Sequence, residues 1–236
     1  MALCEEPSRE DRIRGNYENK IRFFSPPEKT YEIFATEKTE DGELRMSYKD
    51  FLRSMTPYCH TPFFEGTEEY LKNYTPDILK KVDADDDGQV SFTEFFFFIV
   101  LLQIQPRKIL REFKKIDNGD GLMSKEEASQ VLRTLRKSTQ AGQKQQDRVK
   151  LDARAIKSSE EDFKHTNLAI VEKFFAGKEH ITVDDLIEMQ YKFREDLWHY
   201  QFHSFEPNED GRISTENFLK ANLPSVTGRF VEKYKR

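Results

Sequence analysis

Asp83-Ala84-Asp85-Asp86-Asp87-Gly88-Gln89-Val90-Ser91-Phe92-Thr93-Glu94 is the stretch on which the reading of this chain turns. Carboxylates stand at its first, third and fifth positions, glycine at the sixth, an apolar residue at the eighth and glutamate at the twelfth. A coiling loop with that spacing turns Asp83, Asp85 and Asp87 toward one point. Gln89 needs to offer only its backbone carbonyl, and Ser91 acts directly or through a water. Glu94 closes the cage with two oxygens from the first turn of the next helix. Gly88 makes the sharp turn, where a side chain would be strained. Oxygens alone, gathered round one point, suit a hard cation, and this is the EF-hand pattern for Ca2+. The competing reading is an acidic surface turn that binds nothing, but every constrained position agrees with the pattern.

The flanks predict helices. Thr75 caps one and Pro76 takes its first position, with Ile78, Leu79 and Val82 as the apolar face. Behind Glu94 runs Phe95-Phe96-Phe97-Phe98-Ile99-Val100-Leu101-Leu102, apolar on all sides and too short to span a bilayer. Such a helix is buried, or a partner covers it.

An EF-hand buries its apolar face against a second hand, so degenerate copies are expected. Ile116 to Glu127 is one. With Gly121 at position six, Asn118, Asp120, Ser124 and Glu127 fall on ligand positions, but Ile116 supplies no oxygen at position one. The alternative is a loop one residue short, beginning at Asp117. Ser124 and Glu127 also form a capping box, which explains Glu127 without metal. Calcium at Asn118, Asp120 and Glu127 is the weaker expectation. Glu206 to Asn217 keeps Gly211 and Ile213 but ends on a neutral residue, and Ala176 to Asp185 keeps Ile181 and almost no ligands.

The expected fold class is mainly α: paired EF-hand helix-loop-helix units with a small N-terminal α+β region. The expected organisation is a flexible N-terminus over 1–15, an N-terminal domain over 16–74 and a first EF-hand pair over 75–139. A basic linker over 140–162, a degenerate pair over 163–222 and a tail over 223–236 follow. Arg133 to Lys157 holds eight Lys or Arg against two Asp, which predicts a solvated linker. In the N-terminal domain, Ser25-Pro26-Pro27-Glu28 reads as a helix start with Ser25 as cap, and Tyr31, Phe34 and Ala35 face inward. Asp41-Gly42 marks a turn, Leu44 and Met46 alternate like a short strand, and Ser47 caps a helix carrying Phe51, Leu52 and Met55.

The whole chain has 236 residues, 34% of them charged, 36% hydrophobic, with 20 Phe, one Trp and a net charge of −5. That balance gives no electrostatic platform for nucleic acid. Two cysteines, Cys4 and Cys59, make no disulfide framework. No secretory signal, arginine-rich transit peptide or transmembrane helix is visible, which predicts a cytosolic chain or a processed one. His199 and His203 are four apart on a predicted helix, a spacing that can chelate zinc, but nothing nearby completes a set. Cys59-His60 lacks a third member, and P-loop, GxSxG and HExxH patterns are missing, so nothing points to an enzyme.

Tyr17-Glu-Asn-Lys-Ile-Arg22, Ser25-Pro-Pro-Glu-Lys29, Ile33-Phe-Ala-Thr36 and Asp50-Phe-Leu-Arg-Ser-Met-Thr-Pro57 closely resemble the opening of the mitochondrial calcium uptake proteins, EF-hand gatekeepers of the calcium uniporter. Val90 to Phe95, Asp147-Arg148, Lys173-Phe-Phe-Ala-Gly177 and Asp210-Gly-Arg-Ile213 extend the resemblance over roughly residues 15–222. The intact first loop and impaired second one look more like plant or protist members than animal ones. The family also carries a second EF-hand lobe, so the chain resembles its N-terminal lobe or a shortened member. The resemblance implies Ca2+ as the bound ion, a uniporter pore subunit as partner, and a homo- or hetero-dimer within the family. It also implies a location on the intermembrane-space side of the mitochondrial inner membrane, with the membrane met only through the partner. Lys20, Arg22 and Lys29 are the positions where it implies contact with an acidic ring at the channel mouth. The alternative function is a soluble EF-hand sensor that grips an amphipathic helix of a cytosolic target.

Overall fold

The computed structural model describes residues 9–56, 77–151, 169–203 and 207–215. Helices α1 (Arg9–Phe24) and α2 (Pro27–Phe34) lead into two short strands, β1 (Glu37–Lys38) and β2 (Leu44–Arg45), and then α3 (Tyr48–Met55). Next come α4 (Asp77–Val82), the acidic loop, α5 (Phe92–Gln103), α6 (Pro106–Ile116), β3 (Leu122–Ser124) and α7 (Lys125–Arg136). Helix α8 (Gln140–Leu151), a helical stretch over 169–175, β4 (His180–Thr182) and α9 (Val183–His203) complete the described elements. The chain is mainly α, as expected. Thr75, Pro76, Cys4, Cys59 and His60 lie outside the described residues.

One local device starts four of these helices. Ser47 with Asp50, Ser91 with Glu94 and Ser124 with Glu127 form reciprocal capping boxes. Thr182 and Asp185 exchange the same bonds at the head of α9. Each box satisfies backbone N–H groups that the first turn leaves unpaired, at about 1 kcal/mol per cap. Ser25 does not act this way. Pro26 takes the capping position of α2 and Pro27 the first helical one, without a side-chain capping bond, because Ser25 stands one residue too early.

The loops pair differently from the sequence-based expectation, which joined 83–94 to 116–127 and 176–185 to 206–217. Met46 and Val90 exchange both backbone hydrogen bonds, at 3.0 and 2.8 Å. Met123 pairs with Ile181 in the antiparallel β3–β4 ladder. The residues between α2 and α3 are therefore the partner loop of the acidic hand, and the N-terminal region is itself a helix-loop-helix unit. Tyr31 clamps the joint, its hydroxyl donating to Val90 O at 2.8 Å and Leu44 O at 3.0 Å.

Helix α5 is the centre of the core, and burial answers its all-round apolar pattern. Phe95, Phe96, Phe97 and Phe98 are all buried. Phe95 and Phe98 meet Phe51 of α3 at 6.5 and 6.4 Å between ring centroids. Phe98 meets Phe193 of α9 at 5.5 Å, and Phe97 meets Phe174 at 5.9 Å. Gln140–Leu151, expected as a solvated linker, is helical. Ala141 and Gln145 are buried, and the Ala141 N–H donates to Gln103 Oε1 at 2.9 Å. Lys144 Nζ reaches the carbonyls of Phe23 and Ser25, both at 3.2 Å, at the end of α1. The basic composition hid the small apolar face by which this helix docks. Among the described residues no helix is long and apolar enough to cross a membrane.

Candidate metal centre

Between α4 and α5 the acidic loop turns its odd-numbered aspartates together. Asp83, Asp85 and Asp87 each present a carboxylate oxygen, and these three oxygens lie within 4.8 Å of one another. Among the described residues no other trio of His, Cys, Asp or Glu side chains does so. The turn that achieves this puts Asp86 at φ 58° and Gly88 at φ 81°. A Cβ on Gly88 would meet no atom, so glycine is favoured there by backbone conformation and not by space.

Asp83 is the anchor, only 2% exposed. Its Oδ1 accepts from the Asp87 N–H at 3.1 Å, and its Oδ2 from the Gly88 N–H at 2.9 Å. Tyr48 of α3 donates its hydroxyl to the same Oδ2 at 2.7 Å. Burial pushes the Asp83 carboxyl up, but the bonds from Tyr48, Gly88 and Asp87 outweigh it and hold the group below its ordinary value. Asp85 moves the other way, raised by burial and by the charge of Asp87.

Glu94 is buried at the loop's edge, outside the aspartate trio. Its Oε1 accepts from the Ala84 N–H at 2.6 Å, and its Oε2 accepts from the Ser91 N–H and hydroxyl, both at 2.7 Å. Burial raises its pKa against the lowering effect of those bonds. Gln89, at position seven, donates its side-chain amide to Glu37 Oε2 at 2.7 Å, which ties the loop to β1 and leaves its carbonyl as the ligand the pattern requires. The donor set is all oxygen and mostly carboxylate, so these residues suit a hard divalent cation such as Ca2+.

The loop at 116–127 is built on the shorter frame. Asp117 Oδ1 accepts from the N–H groups of Gly119 and Gly121, at 3.1 and 3.2 Å, so Asp117 takes the anchoring place of Asp83 with one residue fewer before the glycine. Asn118 and Asp120 accept from the N–H groups of Asp120 and Leu122, and Glu127 caps α7. His199 and His203 stack at 5.9 Å.

Of the basic residues expected at a partner surface, Lys20 and Lys29 are exposed. Arg22 is not, with a side chain 7% exposed. Its guanidinium donates to Arg53 O, Asn19 Oδ1 and Glu18, and lies 4.5 Å from the Phe34 ring centroid. Those partners turn its side chain inward, whereas Lys20 and Lys29 reach the surface. Tyr48 and Lys173 touch the loop without having been singled out for it. Lys173 lies in the resembling Lys173-Phe-Phe-Ala-Gly177 segment, whereas nothing local in the sequence points from Tyr48 to Asp83.

The fold and this loop define an EF-hand protein. No family model matches the sequence. "Calcium uptake protein 1, mitochondrial" of Danio rerio is 31% identical over 232 residues, covering 88% of this chain and 46% of that protein. The human protein of the same name is 31% identical over 228 residues, with the same coverage. "Calcium uptake protein, mitochondrial" of Arabidopsis thaliana is 27% identical over 94% of this chain and 46% of its own length. The crystal structure of EFHA2 in the apo state superposes with a TM-score of 0.51 at 18% identity, covering 90% of this chain and 67% of that one. The chain is thus a relative of the mitochondrial calcium uptake proteins, as its N-terminal segments indicate, and it spans about half the length of the curated relatives it matches.

Proposed function

We propose that this chain is a calcium-sensing regulatory subunit of a mitochondrial calcium uniporter channel, acting on the intermembrane-space side of the inner membrane as part of a dimer. In this reading Asp83, Asp85, Asp87, Gln89, Ser91 and Glu94 hold one Ca2+, whose positive charge offsets the crowded carboxylates. Asn118, Asp120 and Glu127 of the shorter loop are a weaker site at most, and Lys20 and Lys29 face an acidic partner. The observation that carries the reading is the double duty of the loop's carboxylates. Asp83 holds Tyr48 of the N-terminal hand, and Glu94 holds both the loop's start and the head of α5. A ligand oxygen that turns toward the ion weakens one of those bonds. The state of the loop is then felt by the N-terminal hand and by the helix at the centre of the core.

A tenfold change in partner affinity needs about 1.4 kcal/mol of such coupling, within the usual range for allostery. The test is binding of the chain to the uniporter pore subunit in proteoliposomes, with calcium and with chelator. The reading expects an affinity that differs between the two conditions and is weakened by Lys20→Glu and Lys29→Glu. Equal binding in both, insensitive to these charge reversals, contradicts it.

A further inference from the structure

The helical stretch 169–175 carries two adjacent charges that reach two different loops. Glu172 Oε1 accepts from Lys125 Nζ at 2.6 Å, on the residue directly after the β3 strand of the second loop. Lys173 Nζ donates to Asp86 Oδ1 at 2.7 Å and also to the backbone carbonyl of Asp83. The neighbouring Phe174 packs against Phe97, Phe98 and Phe193, so the backbone that presents Lys173 is anchored in the core. The carbonyl of Lys173 is held as well, accepting from Lys81 Nζ of α4 at 2.6 Å.

Asp86 stands at loop position four, outside the metal-ligand pattern, and its side chain is 80% exposed. The loop itself holds five carboxylates in twelve residues and no basic residue. Lys173 therefore brings to the loop a cation that the loop's own sequence lacks.

We propose that Lys173 is a built-in counter-cation of the Asp83–Glu94 loop, a positioning residue that lowers the loop's affinity for calcium and ties its charge state to the 169–175 stretch. This inference rests on the calcium reading of the loop. A fixed ammonium beside the carboxylates reduces the potential that attracts a second cation, and the interaction weakens as salt screens it. The coupling is reciprocal: a divalent charge in the loop weakens the hold of Asp86 on Lys173. Through Glu172 and Lys125 the same core-anchored stretch also touches the second loop.

The experiment is calorimetric titration of the full chain with calcium, comparing wild type, Lys173→Gln and Lys173→Arg at low and at physiological salt. Lys173→Gln is expected to tighten binding by about threefold or more at low salt, with a smaller gain as salt is added. Lys173→Arg, which keeps the charge, is expected to stay near wild type. The NMR signal of the wild-type Lys173 side chain gives a second reading that needs no variant, with a change expected once calcium is added. Calcium binding in wild type with unchanged or weaker binding in a folded Lys173→Gln chain overturns the counter-cation and leaves the calcium loop standing. Calcium binding without any change in that side-chain signal does the same. No calcium heat from wild type overturns both.

Discussion

The hydroxyl of Tyr48, at the head of α3, donates to Asp83 Oδ2 across 2.7 Å, joining the N-terminal hand to the first residue of the acidic loop. The bond serves both sides. It helps hold the Asp83 carboxyl below its ordinary pKa, and Asp83 in turn, with burial as the larger cause, pushes the tyrosine hydroxyl far above its ordinary value. Tyr48→Phe removes the donor and keeps the ring. A hydrogen bond to a charged group contributes about 1.5–3 kcal/mol, so the ion-free chain is expected to lose about that much stability, measured by urea unfolding. Calcium affinity is expected to rise, because the ion no longer competes with the Tyr48 hydroxyl for Asp83. Unchanged stability and affinity would separate Tyr48 from the loop.

Phe98 is the residue through which α5 meets α3, the 169–175 stretch and α9 at once. Phe98→Ala leaves a hole that four aromatic neighbours cannot close, and the expected loss is about 3–5 kcal/mol. A loss below about 1 kcal/mol would mean the site relaxes freely and that α5 is not the core's keystone.

The loop's acid–base balance carries a sign that titration can check. Glu94 and Asp85 have raised pKa values, both chiefly through burial. A group raised in the folded state binds its proton more tightly there than in the unfolded chain. These two therefore destabilise the ion-free fold when ionised, and that penalty disappears as pH falls through their raised values. Asp83 has the opposite sign, and its contribution is lost only as pH falls through its lowered value. Calcium needs all three ionised, so binding at mildly acidic pH is expected to release protons. The check is the binding heat in two buffers of different ionisation enthalpy. Equal heats would contradict the raised values.

The spacing of Asp83 to Glu94 was enough to bring the trio of carboxylates together, since alternate positions of a coiling loop point to one side. The Phe run was enough to place the core helix, because an all-round apolar face has few other destinations. Loop pairing was harder to read. It rests on a bridge of single residues, Met46 with Val90, between segments far apart in the chain, and such contacts have little compositional signature. A signal was nevertheless present. Met46-Ser47-x-x-Asp50, Val90-Ser91-x-x-Glu94, Met123-Ser124-x-x-Glu127 and Ile181-Thr182-x-x-Asp185 repeat one pattern of pairing residue and capping box. Counting boxes instead of acidic ligands would have revealed the N-terminal hand, which keeps the box and has lost the ligands. Arg22, a contact position implied by the family resemblance, has its side chain held inside by the Phe34 ring, Glu18 and the Arg53 carbonyl, contacts that sequence spacing does not describe.

If Asp83–Glu94 is a working calcium loop, its closing glutamate is the residue to change. Glu94→Lys would place an uncompensated cation at a buried helix cap, so a loss of binding in that variant would not distinguish ligand from fold. Glu94→Gln keeps the shape and a capping oxygen while removing the charge. Calcium titration calorimetry on wild type and Glu94→Gln is therefore the most direct measurement. Wild type is expected to bind one calcium ion, and binding is expected to be lost or strongly weakened in a Glu94→Gln chain that remains folded. No binding in wild type, or a site that survives Glu94→Gln with unchanged affinity, would contradict the calcium reading of the loop.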